Sequence, residues 1–160
     1  MNRHLDHFSA NTVVVAAYPL ILSLLTAFSL WVNAEATSSH DFGNYTVHYS
    51  VFNSTMIQPE IANAHKLKRA GNLAYINIAV VNNSDSDSYG IAAQISGRSR
   101  NLLQQQQLLR FIAIKEQTAT YYLAPLYYNN EDIYHFDITV VADKQTPTKT
   151  FTFTKTLYVE

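Results

Sequence analysis

The stretch that decides the fold is NYTVHYSVF, Asn44–Phe52. Tyr45, Val47, Tyr49 and Val51 alternate with Thr46, His48 and Ser50, so one face is apolar and the other polar. A period of two is the pattern of a half-buried strand. Outward from it the same grammar recurs. In NLAYINIAVV, Asn72–Val81, both faces are apolar except at Asn77, as expected of a central strand covered on both sides. The run NNSDSDS, Asn82–Ser88, reads as a polar turn. Tyr89–Ser96 resumes with Ile91, Ala93 and Ile95 on one face. Leu108–Glu116 sets Leu109, Phe111 and Ala113 against Arg110, Ile112 and Ile114. Thr118–Leu123 is a short tyrosine-bearing strand that Pro125 stops. Ile133–Ala142 puts Tyr134, Phe136, Ile138 and Val140 together. In Thr150–Val159, Phe151, Phe153, Leu157 and Val159 face one way, with Lys155 breaking the set.

About seven short strands separated by polar turns predict an all-β protein. Strands joined by short connections pair antiparallel. The absence of a long helical pattern between them excludes a doubly wound α/β fold. The expectation is an antiparallel immunoglobulin-like β-sandwich, with a closed barrel as the alternative. One segment does not alternate: STMIQPEIANAHKLKRAG, Ser54–Gly71, is long for a hairpin connection. Pro59 and Glu60 suit the start of a helix, so one short helical turn is expected over Pro59–His65. The segment serves either as a packed cover or as a binding element.

The N-terminal segment reads as an address. Val13–Val32 carries no charge, and Ala34 and Ala36 offer small residues for signal peptidase. Residues 1–36 are therefore expected to be a Sec signal peptide, and 37–160 a single sandwich domain in the periplasm. An uncleaved anchor in the inner membrane is the rival, since about 20 apolar residues also suffice to span a bilayer. Membrane contact is expected only in that case. His4, Asp6 and His7 would leave with the peptide.

Composition limits the chemistry. The chain has 160 residues, 48% of them hydrophobic, a formal charge of -1 and no cysteine. The hydrophobic content excludes a disordered chain. Near-zero charge argues against a nucleic-acid binder. The lack of cysteine rules out disulfides, a thiol nucleophile and a cysteine zinc site. His40, His48, His65 and His135 form no metal-ligand spacing, and no metal or cofactor is expected. Asp85 and Asp87 lie in a serine-rich turn without the glycine and terminal glutamate of a calcium loop. Neither a G-x-S-x-G elbow nor a phosphate loop is present, so no catalytic residue is assigned. Sequons begin at Asn44, Asn53 and Asn82, but such triplets are common by chance and glycosylation is not expected.

Two binding surfaces remain as candidates. Lys66, Lys68 and Arg69, joined by Arg98 from a turn around Ser96–Arg100, could orient a protein partner in the cell envelope. Alternatively Tyr122, Tyr128 and His135 could line a pocket for a small ligand or glycan, or for hydrolysis. Tyr121–Tyr122 and Tyr127–Tyr128 are adjacent pairs, and neighbours on a strand point to opposite faces, so one of each is expected in the core.

His48-Tyr49 after an alternating strand, Pro59-Glu60-Ile61-Ala62, and basic residues before Asn72-Leu73-Ala74 occur in a specific order. They are followed by Gly97–Leu103, Leu109-Arg110-Phe111 and a closing Phe153–Glu160. This order resembles a family of exported Gram-negative bacterial proteins known as domain of unknown function 4426. The resemblance covers nearly all of the expected mature chain. It implies an exported sandwich of this size and transfers no catalytic residue.

Overall fold

A computed structural model describes residues 38–84, 90–116, 118–142 and 146–160. Val13–Val32, the cut sites after Ala34 and Ala36, and Asp85, Asp87 and Tyr89 lie outside these residues. Among the described residues no helix is long and apolar enough to cross a membrane. The described residues form nine strands: β1 Ser38–Asp41, β2 Tyr45–Asn53, β3 Leu73–Asn82, β4 Gln94–Asn101, β5 Gln106–Leu109, β6 Ile112–Glu116, β7 Ala119–Tyr127, β8 Asp132–Val141 and β9 Lys149–Leu157. One short helix, α1, spans Pro59–Ala64.

Every strand pairing is antiparallel. One sheet has the order β1-β2-β3-β7-β6 and the other β5-β4-β8-β9. This is the immunoglobulin-like arrangement. Strands β2, β3, β7 and β6 take the places of A, B, E and D, while β4, β8 and β9 take those of C, F and G. β1 extends the first sheet beyond A, and β5 extends the second beyond C.

The core lies between the sheets. Val47, Val51, Ile76, Ile78, Val80, Tyr122, Ala124 and Leu126 meet Leu109, Phe136, Ile138, Val140, Phe151 and Leu157. The inward sets match the sequence periodicity in β2, β3, β8 and β9. Phe136 is fully buried and stacks on Phe153 with centroids 4.6 Å apart. At the side where β1 and β9 approach, His40 stacks on Tyr49 and tilts against Phe151. That aromatic contact joins the edges of the two sheets.

Three local expectations are corrected. Leu108–Glu116 is not one strand. It pairs with β4 up to Leu109, leaves at Arg110, and joins β7 in the other sheet from Ile112. Leu109 and Phe111 both face the core, so the alternation survives a change of sheet and does not reveal it. Ser96–Arg100 is not a turn but the middle of β4. Gly97 faces the core there because an added Cβ would lie 2.8 Å from both the Asp137 carbonyl oxygen and Ile138 Cδ1; close approach, not reversal, requires the glycine. Pro125 does not stop its strand either. β6 pairs only as far as Leu123, so the proline sits where β7 has an open edge and no donor is missed. The strand expected from Tyr89 begins its ladder later, at Gln94, although Ile91 and Ala93 do pack on the core.

Replacing Phe136 with alanine should cost about 3–5 kcal/mol, the range for deleting a buried aromatic ring. Equilibrium urea unfolding checks this, and a loss below about 1 kcal/mol would mean that the two sheets do not close on Phe136.

Candidate functional site: a groove beneath the A–B connection

The segment between β2 and β3 folds back over the outer face of the first sheet. It begins with a 3-10 turn, Ser54–Met56, and continues into α1, where Pro59 occupies the first turn. Ala62 is the buried residue of this helix. Lys66 adopts φ 55, and the Leu67 amide donates to the Ala62 carbonyl at 2.7 Å, which turns the chain back toward the sheet. Ile57, Leu67 and Ala70 then pack on Leu73, Tyr75 and Leu123. The segment is a cover, and it makes β3 apolar and buried on both faces as its sequence requires.

Hydrogen bonds clamp both ends of the cover. The Ser54 hydroxyl donates to the Ala70 carbonyl and accepts from the Ala70 amide, each at 2.9 Å. The Tyr75 hydroxyl accepts from the Lys68 amide at 2.9 Å and contacts the Lys68 carbonyl at 3.2 Å. Arg69 Nη2 donates to the Thr55 carbonyl at 2.9 Å. The Tyr128 hydroxyl faces three acceptors: Asn53 Oδ1 at 2.5 Å, and the carbonyls of Gly71 and Tyr158 at 3.0 Å each. Tyr128 stands between β7 and β8, the corner where immunoglobulin folds place a backbone-bonding tyrosine. Burial pushes the Tyr75 and Tyr128 hydroxyls above their ordinary pKa. The Glu160 amide donates to the Gly71 carbonyl at 3.2 Å, and its carboxylate accepts from the Thr55 hydroxyl.

Between cover and sheet lies a groove of about 200 Å³. Phe52, Ile57, Ile61, Leu67, Ile114 and Leu123 give it apolar walls, and Asn77, His65, Glu116 and Tyr121 add polar groups. Asn77 Oδ1 is buried without a hydrogen-bond partner among the described residues. Ile61 is 49% exposed at the mouth. An apolar concavity with a few convergent polar groups is the form of a binding site.

The structure divides the residues picked from sequence. Lys66, Lys68 and Arg69 are exposed on the cover, Lys66 and Lys68 flanking the groove residue Leu67 in the chain. Arg98 is not with them. It projects from the outer face of the other sheet, on the far side of the sandwich, where its Nε bonds Asp137 at 2.9 Å. That exposed pair is worth at most about 1 kcal/mol. The four cations therefore form no single patch, because β4 carries Arg98 in mid-strand and not in an end loop. Tyr122, Tyr128 and His135 do not converge either. The Tyr122 hydroxyl lies in the core and accepts from the Ala93 amide at 2.6 Å. Tyr128 is engaged in the clamp, and His135 is on the exposed face of β8, bonded to Thr154 Oγ1 at 2.9 Å. Within each tyrosine pair one member is buried, Tyr122 and Tyr128. The groove residues escaped selection because they come from four separate strands and the cover. The one signal was Asn77, the polar interruption of β3.

The fold and groove define an immunoglobulin-like sandwich whose A–B connection roofs one outer sheet face. The chain belongs to the domain of unknown function (DUF4426) family, whose model matches residues 39–160. A DUF4426 family protein from Pseudomonas aeruginosa PAO1, known from a crystal structure, is similar with a TM-score of 0.70 and 29% identity. That match covers 79% of this chain and 98% of the other. FetP of uropathogenic Escherichia coli strain F11 shares the fold at a TM-score of 0.50 and 11% identity, over 78% of this chain and 95% of its own. No curated protein matches the sequence.

The clamp carries a pH prediction. Hydrogen bonds from Thr55 and Asn53 hold the Glu160 carboxyl below its ordinary value of 4.5. A group whose folded pKa is depressed contributes stability above its unfolded value, and the contribution is lost as pH falls through the folded one. Glu160→Gln should therefore be less stable than the wild type at neutral pH, with the gap closing as pH drops below 4.5. Urea unfolding of both proteins across that range tests it; a gap independent of pH would remove Glu160 from the clamp.

Proposed function

We propose that this chain is an exported, non-catalytic interaction module of the bacterial periplasm that captures an envelope protein through the groove beneath its A–B cover. The observation that carries this reading is the size of the groove. At about 200 Å³ it falls short of the roughly 300–1,000 Å³ that drug-sized ligands occupy. It suits a single anchoring side chain, the arrangement found at the centre of protein interfaces. Lys66, Lys68 and Arg69 are exposed on the cover that roofs it, so an acidic partner segment is steered and oriented there. Arg98 has no part in this contact. Export rests on the uncharged run Val13–Val32 and the small residues that follow it.

Photocrosslinking in living cells tests the reading. A crosslinker replacing Ile61 should trap one discrete partner through an acidic segment, identified by mass spectrometry. The same group replacing Arg98 should trap none. Reversing Lys66, Lys68 and Arg69 to glutamate should lower the yield from position 61 by an order of magnitude or so, since like charges facing each other cost several kcal/mol. Equal capture from both positions, or none from 61, overturns the proposal.

A further inference from the structure

Exposed apolar side chains gather at one end of the sandwich. The registers Asn53↔Ala74, Leu73↔Tyr127, Asn101↔Tyr134 and Asp132↔Leu157 bring the last residues of β2, β4, β7 and β9 to this end. The Tyr128 hydroxyl, bonded to the Gly71 and Tyr158 carbonyls, joins the two sheets there. Of the nine large hydrophobic residues exposed among the described ones, six lie at this end: Met56, Leu102, Leu103, Tyr127, Tyr158 and Val159. None of the nine lies at the other end. Scattered singly, such residues need no explanation, but gathered they mark a surface for a protein or a membrane. The turn between β4 and β5 is the most exposed part, with Leu102 at 58% and Leu103 at 78%. It is also firmly built. The buried Asn101 side chain accepts from the Gln105 amide at 3.0 Å and donates to Gln105 Oε1 at 2.8 Å and Asp132 Oδ2 at 3.2 Å. The Gln104 amide donates to the Asn101 carbonyl at 3.0 Å. A buried polar residue thus holds two leucines out in water, within a stretch, Asn101–Leu109, that carries no charge.

The direction of the chain selects lipid as the occupant. β1 runs from opposite Tyr49 to opposite Thr46, away from this end, so the chain enters β1 from it. Only Asn33–Thr37 separate the uncharged run Val13–Val32 from Ser38, and five extended residues reach about 17 Å at most. While that run sits in a bilayer, during export or as an anchor, this end is turned toward lipid. Its composition agrees. The leucines lie in a turn beyond the strand ends, and Tyr127 and Tyr158 lie at the strand ends themselves, as tyrosine rings do at the headgroup level of a membrane. We infer that this end of the sandwich docks on the bilayer surface, with Leu102 and Leu103 entering the acyl boundary and Tyr127 and Tyr158 among the headgroups. Lys68 and Arg69 are matched at this end by Glu131, Asp132 and Glu160, so attachment draws on apolar area and does not need anionic lipid. The inference goes beyond partner capture and does not rest on it, because the groove is on the outer face of the first sheet.

The chain has no cysteine, so one introduced cysteine carries a unique fluorophore. The full chain is reconstituted into phosphatidylcholine vesicles whose acyl chains carry bromine as a quencher. A label at Leu103→Cys should be quenched about fivefold more than the same label at Ser84→Cys, at the other end of the sandwich. A label at Met56→Cys should also be quenched, and replacing Leu102 and Leu103 with serine should lower that quenching about fivefold. All these positions are exposed, so the substitutions leave the core intact. Equal quenching at 103 and 84 overturns the inference, as does quenching at 56 that ignores the two leucines. No quenching at 103 overturns it as well and assigns the leucines to a protein surface, since the vesicles contain no other protein.

Discussion

Strand β3 is apolar on both faces, and a two-sheet sandwich can cover only one of them. Ala74, Ile76, Ile78 and Val80 are buried against the second sheet. Leu73 and Tyr75 face the other way and would meet water, yet they are 0% and 3% exposed. Each such side chain gains roughly 1.5–3 kcal/mol from burial. The chain meets this demand with its own A–B connection, and much else follows. The connection must be long enough to cross the sheet. It must present Ile57, Leu67 and Ala70 downward, and its backbone must find partners away from any ladder. Six helical residues are too few to be stable alone, so α1 persists because it is docked. The clamp of Ser54, Tyr75 and Tyr128 gathers the polar groups that a covered sheet face would otherwise strand.

That dependence explains what was legible in the sequence. Periodicity reports which side of the chain faces the core, and it did so for β2, β3, β8 and β9. It also marked β3 as doubly covered and Pro59 as a helix start. It is blind to which sheet a residue joins. Leu109 and Phe111 keep the same inward face while the chain passes from one sheet to the other, so two strands read as one. Glycine and proline misled for a related reason. Both are punctuation in a local reading, but Gly97 answers to the closeness of Asp137 and Ile138, and Pro125 to the early end of β6. Those are facts about neighbouring strands. β1, with its sequence SSHD, has no apolar alternation to detect and is held through His40 against Tyr49 and Phe151.

The candidate site was less legible than the fold. Charge drew attention to Lys66, Lys68 and Arg69, which lie exposed on the cover without lining the groove. Charge also drew in Arg98, which the register of β4 with β8 puts opposite Asp137 on the far face. Aromatic pairing drew in Tyr122 and Tyr128, whose hydroxyls serve the fold itself. Conspicuous residues are often already occupied: a tyrosine buried in a sandwich needs a partner for its hydroxyl, and here these two find one in backbone or side-chain groups of the protein. The groove is made instead of ordinary residues, Phe52, Ile57, Leu67 and Leu123, that acquire meaning only through a roof.

Asn77 shows how the two levels meet. For stability alone a leucine at this position would serve better, since it would extend the apolar face of Leu73, Tyr75 and Leu123 and leave no acceptor unpaired. An asparagine in the middle of a central strand, with both flanking strands in place, weakens the sheet and the seat of the cover together. The cover closes over it only partly, with Ile61 remaining half-exposed at the mouth. Packing and polarity are therefore both left incomplete at the same point of the covered face.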